Sequence, residues 1–104
     1  MVKIEVGKIA NRIKKMEIKG HAGFADKGND IVCAGISSVS VGLLNAIDEL
    51  TDQSCDIVCD DNYIRIVVLN DDDVIQTILS VGFIQLKTIE DQFPQNLKIK
   101  ITEV

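Results

Sequence analysis

Apolar and charged residues alternate at both ends of this chain and take on helical spacing in between. Val2, Ile4 and Val6 are separated by Lys3 and Glu5, the two-residue period of a strand with one buried and one wet face. After a turn near Ala10 to Arg12, Ile13, Met16 and Ile18 are interspersed with Lys14, Lys15, Glu17 and Lys19. A second strand therefore ends at Gly20 and forms an antiparallel hairpin with the first. The alternation slips by one residue at Lys14 and Lys15, which predicts a bulge or a late strand start there. Residues 22–29 have no period, and Gly23 and Gly28 mark them as a loop. Asp30 stands where a helix N-cap belongs, and Val32, Ile36, Val39, Leu43, Ile47 and Leu50 then recur at steps of three and four over about five turns. Cys33 would be the third residue of that helix.

Residues 54–59 and 63–69 are β-rich runs on either side of Asp60, Asp61 and Asn62, a trio suited to a tight turn with positive φ. Asn70 or Asp71 caps a second helix, with Asp72 and Asp73 placing negative charge in its first turn. Val74, Ile75, Ile78, Leu79, Gly82, Leu86, Ile89 and Phe93 keep helical spacing, with Gly82 a weak point and Pro94 a stop. Leu97, Ile99 and Ile101 alternate with Lys98, Lys100 and Thr102 in a last strand that must pair with one of the earlier four. The order β-β-α-β-β-α-β predicts a single α+β domain over residues 1–104, a mixed or antiparallel sheet packed with two long helices. Ala34, Gly35, Ser37, Ser38, Ser40 and Gly42 are small for one helix, which permits close approach either by the second helix or by a partner chain.

Composition narrows the function. Hydrophobic residues make up 46% but aromatic ones only 4%, so Ile, Val and Leu must build the core. The formal net charge is −5 and no block of Lys or Arg exceeds two residues, which disfavours direct nucleic-acid binding. The N-terminus lacks a signal-peptide pattern and no apolar run approaches the ~20 residues that cross a bilayer, so a soluble, cytoplasmic protein without a membrane partner is expected. An odd count of three cysteines fits reduced thiols. Cys55 and Cys59 share one predicted strand, where four residues separate them by roughly 13 Å, too far for one zinc or a bridge. They read as small buried hydrophobes, and no metal site is expected. The glycines of 20–28 follow neither the dinucleotide nor the Walker spacing, so no cofactor is expected either.

The chemistry concentrates in residues 20–37, which hold His21, the only histidine, and Cys33. A helix N-terminus stabilises an anion such as a thiolate, and an imidazole brought back by the loop can act as its general base. The amides of Cys33 and Ala34 would be oxyanion donors if they point out of the helix start. Asp30 either caps the helix or orients the imidazole. Ser37, one turn after Cys33, either lines the site or bonds back to a carbonyl. A histidine beside a turn and a small buried cysteine are also ordinary structural residues.

Gly20-His21-Ala22, then Gly28, then Asp30-Ile31-Val32-Cys33-Ala34, with Ser37 after it, closely resembles the signature of the ribosomal-processing cysteine proteases of the Prp or YsxB-like family. The element order and the Phe93-Pro94 pair fit over nearly the whole chain, though only the central motif is specific. Gly35 departs from the family's more usual Ala, and Phe93 from its common Tyr. The resemblance implies a cytoplasmic homodimer that removes a short N-terminal extension from large-subunit ribosomal protein twenty-seven. It implies Cys33 as nucleophile and His21 as its partner, accompanied by Gly20, Asp30, Ala34 and Ser37. It further implies substrates with adjacent aromatic residues before the cut, bound in an apolar groove walled by Phe24 and residues of a partner subunit; the loop of 22–29 is expected to open to admit an extended peptide and to close to complete the dyad. Two other readings compete: a non-catalytic ribosome-assembly or interaction module that uses the small-residue helix, and a thiol redox sensor based on Cys33.

Overall fold

The computed structural model describes residues 1–20 and 27–103. Its elements follow the predicted order: β1 (Val2–Ile9), β2 (Arg12–Lys19), α1 (Lys27–Leu50), β3 (Cys55–Asp60), β4 (Tyr63–Val68), α2 (Asp73–Gln92) and β5 (Leu97–Glu103). The five strands form one mixed sheet in the order β3-β4-β2-β1-β5, antiparallel except where β5 runs parallel to β1. The unassigned last strand thus pairs with the first.

Strand alternation decides which face is covered. Val2, Ile4 and Val6 lie in register with Leu97, Ile99 and Ile101 on one side, and Ile4 and Val6 face Ile18 and Met16 on the other. Met16 and Ile18 continue the rows into Ile66 and Ile64. Together with Val32, Ile36, Leu43 and Ile47 of α1 and Ile75, Leu79 and Leu86 of α2, these rows form the core, with Ile64 and Ile99 packed against it and Ile101 left half exposed, so both helices cover one face. Lys3, Glu5, Lys19, Lys98 and Lys100 leave the opposite face to solvent.

Hairpin β1–β2 turns at Ala10 and Asn11, both at positive φ (50° and 67°), the geometry whose twist matches that of paired strands. The bulge lies where the alternation slips: Gly7 pairs with Lys15 and Lys8 with Ile13, leaving Lys14 as the extra residue, and its ammonium donates to the Val68 carbonyl. The positive φ expected in the β3–β4 turn is absent there. Asp60 already pairs with Tyr63, and two residues without positive φ close the hairpin.

Helix boundaries bring further corrections. Asp72, not Asn70 or Asp71, caps α2, its carboxylate accepting from the Ile75 amide at 2.9 Å. Asp71 is engaged by the Arg12 guanidinium at 2.7 Å and by Gln76, whose side chain also pairs with both backbone groups of Ile13. Gly82 is where the helices cross, and a Cβ there would lie 2.8 Å from a Leu43 methyl. By contrast, a Cβ at Gly42 would meet open space. Leu50 is 65% exposed and does not join the sheet-facing stripe. Contrary to the expectation of no membrane-length run, Ile31–Leu50 is long and apolar enough to span a bilayer; here its buried stripe packs in the core.

Candidate active site

Helix α1 begins at Lys27, three residues before the predicted cap, so Lys27 to Asn29 are helical rather than loop, Asp30 is its fourth residue and Cys33 its seventh. An acidic residue type is as welcome in a helix's first turn as at its cap, which is why composition could not separate the two positions. Two expectations fall with that boundary. Amides of the second turn donate to carbonyls four residues back, so those of Cys33 and Ala34 are not open oxyanion donors. The field of a helix terminus fades within its first turn, and Cys33 lies beyond it. His21 and Phe24, with the rest of 21–26, lie outside the described residues.

Cys33 is half-buried and lines a cavity of about 150 Å³ with Gly20 and Ser37. Gly20 follows β2 at φ 87°, which L side chains rarely adopt, and a Cβ there would come within 2.8 Å of the Met1 carbonyl oxygen. Its amide donates to the Asn62 carbonyl at 3.0 Å, which ties the end of β2 to the β3–β4 turn. Ser37 is exposed and lines the same cavity. Ala34 lies on the exposed side of α1.

Sequence reasoning missed the opposite wall, where Asp60, Asp61, Asn62 and Tyr63 complete the cavity. The turn was legible, but its place depends on β4 pairing with β2, which sets Tyr63 beside Lys19. Ser40 was also missed as a site residue, although its spacing of seven from Cys33 returns it to the same helix face. Tyr63 donates to Glu17 at 2.5 Å; this bond, with Lys15 at 3.0 Å, holds the Glu17 carboxyl below the usual range, while the tyrosine is pushed up. Cys59 is exposed rather than buried and also borders the cavity, whereas burial pushes the Cys55 thiol up. None of the three cysteines is in a disulfide.

A thiol on the wall of a cavity sized for one side chain, on a helix layered over a mixed sheet, is an arrangement suited to a cysteine peptidase. The family described as cysteine protease Prp matches residues 1–98. The ribosomal processing cysteine protease Prp of Staphylococcus aureus is 40% identical over 92 residues, 85% of this chain and 86% of that one. Its Bacillus subtilis counterpart is 32% identical over 94 residues, 84% of each. Among solved structures, an essential ribosomal processing protease Prp from S. aureus with a covalently linked product peptide superposes with a TM-score of 0.87 at 31% identity, over 98% of this chain and all of that one. The chain belongs to the cysteine protease Prp family.

Proposed function

We propose that this protease removes the N-terminal extension of large-subunit ribosomal protein twenty-seven in the cytoplasm, with Cys33 as nucleophile and His21 as general base. The observation that carries this reading is that Gly20, joined to His21 by one peptide bond, lines the same cavity as Cys33. The chain leading to the sole imidazole thus reaches the thiol from a neighbouring element. Cys33 Sγ attacks the scissile carbonyl as His21 takes its proton; the tetrahedral intermediate collapses to a thioester as the amine leaves with that proton, and water then releases the acid. Ser37, one turn from Cys33, borders the reacting groups, and Gly20 fixes the strand end that precedes His21. Asp30 orients the imidazole, Phe24 contributes to the substrate groove, and Ala34 supports the nucleophile's turn.

The protein acts as a homodimer. Val41, Leu50, Val81 and Ile84 are each about half exposed or more, and the groove between α1 and α2, about 570 Å³, is lined by Ser38, Gly42 and Ala46 with apolar neighbours. Those small residues accommodate a partner's side chains better than they explain packing within one chain.

The test is cleavage. A peptide spanning the extension should be cut by the parent chain and lost as a substrate, by at least about a thousandfold, with Cys33→Ala or His21→Ala. Equal cutting by all three would overturn the assignment and favour the interaction-module reading.

A further inference from the structure

The two edges of the sheet are finished differently. Tyr63 pairs with Asp60 across a two-residue turn, a separation at which the partners exchange both main-chain bonds, and the Leu69 amide donates to the Ser54 carbonyl at 2.8 Å. Bonded pairs alternate with unbonded ones along an antiparallel ladder, so residues 54, 56, 58 and 60 spend their main-chain groups on β4. The amides and carbonyls of Cys55, Ile57 and Cys59 therefore point outward from β3, the edge strand, and have no partner among the described residues. At the other edge, the Glu90 carboxylate covers the Ile99 amide at 2.7 Å. Nothing comparable guards β3, which has no Pro, no Lys and no bulge.

An open edge accepts another strand, and charge decides which. β3 carries Asp56 and Asp60 with no cation of its own, and Asp61 follows in the turn. Asp56 meets the Arg65 guanidinium at 3.8 Å, while Asp60 and Asp61 have no ion pair among the described residues. Lys14 lies within electrostatic reach of Cys55 at the far end of the strand, its ammonium held on the Val68 carbonyl. A second copy of β3 would bring carboxylates beside carboxylates, which destabilises a strand pair, whereas a strand bearing Lys or Arg is matched. The edge also leads to the site, since Cys59 and Asp60 border the Cys33 cavity.

We propose that the outer edge of β3 binds the substrate polypeptide as an added strand, the main-chain groups of Cys55, Ile57 and Cys59 pairing with the cationic segment that follows the cut. The proposal rests on the protease reading and deepens it by naming where the retained side of the substrate lies. A ribosomal protein holds RNA through Lys and Arg, so the segment kept after cleavage carries the charge that Asp56 and Asp60 match. Main-chain pairing supplies affinity, and the two carboxylates supply the preference for cations.

Amide exchange in Cys33→Ala, followed by nuclear magnetic resonance, reads the edge directly. The amides of Cys55, Ile57 and Cys59 should exchange freely without peptide and slow by at least about tenfold when saturated with a peptide that spans the cut and continues into a Lys-bearing segment. Fast exchange at all three with the peptide bound overturns the proposal. So does slowing caused by raised protein concentration alone, which assigns the edge to a second copy. Cleavage gives a second readout: the parent should favour Lys over Glu in the segment after the cut by about tenfold in kcat/KM, and Asp56→Lys should abolish or reverse that ratio. A ratio near one in the parent, or one that Asp56→Lys leaves unmoved, also overturns the proposal. If nothing is cut yet the three amides are protected, the protease reading fails and the added strand stands; if the peptide is cut while they exchange freely, the reverse holds.

Discussion

Glu90 illustrates how much one side chain decides near the edge of this sheet. Its carboxylate accepts from the Ile99 amide at 2.7 Å and from the Lys87 ammonium at 3.0 Å, covering an amide of the edge strand β5 that would otherwise be open to another chain. The Ile99 bond first, and then Lys87, hold its carboxyl below the usual range. A carboxyl depressed in the folded state contributes stability above its unfolded value, near ~4.3, and that contribution is lost as pH falls through the folded value. Glu90→Gln should therefore melt below the parent at neutral pH, with the gap closing in the acid range below about pH 4. Melting curves from pH 7 to 2 check this, and a constant gap would contradict it. That Cys33 and Ser37 share one cavity wall was legible at this scale, because a one-turn spacing puts them on the same helix face. Asp30 was misassigned because an acidic residue fits a cap and a first turn equally well, and only the path of the backbone distinguishes the two.

The crossing of the two helices depends on Gly82. A methyl there would lie 2.8 and 3.0 Å from the two Leu43 methyls and 3.3 Å from its Cγ, and Leu43 is only 5% exposed, so it has little room to yield. Alanine gains about 1 kcal/mol in helix propensity over glycine, but forcing atoms into a packed core costs typically 1–3 kcal/mol. Gly82→Ala should therefore be a net loss, lowering the melting temperature by roughly 5 °C, and Leu43→Val should recover part of it, a coupling that a double-mutant cycle reads directly. Additive effects would place the strain elsewhere. The periodicity that revealed α2 registered Gly82 only as a weak helix former, because a sequence pattern does not report which residue opposes it. Gly42 shows the converse: it stands in the small-residue stripe, yet the close approach within this chain falls on the other helix. Alternation did reveal the β1–β2 bulge, since a bulge is itself a break in the period.

Across the whole molecule, the charged face of the sheet is open and the helices cover the other face, with the Cys33 cavity at the end of the sheet where β2 stops and the β3–β4 hairpin turns. Element order and fold class were readable because each element follows from local pattern. The cavity was only half readable: its α1 wall carries the motif, whereas its hairpin wall exists because β4 inserts beside β2, a pairing set by the assembled sheet. The similarity to a peptide-bound relative over nearly the full chain places the fold and the cysteine protease chemistry together in one family. The proposed role of Cys33 as nucleophile is tested most directly by quenching a reaction with the extension peptide in acid and mapping the protein by mass spectrometry. A thioester bearing the N-terminal fragment on Cys33, and on neither Cys55 nor Cys59, is the predicted result; cleavage that leaves Cys33 unmodified under conditions that trap the intermediate, or an adduct on Cys59 at the cavity rim, would contradict it.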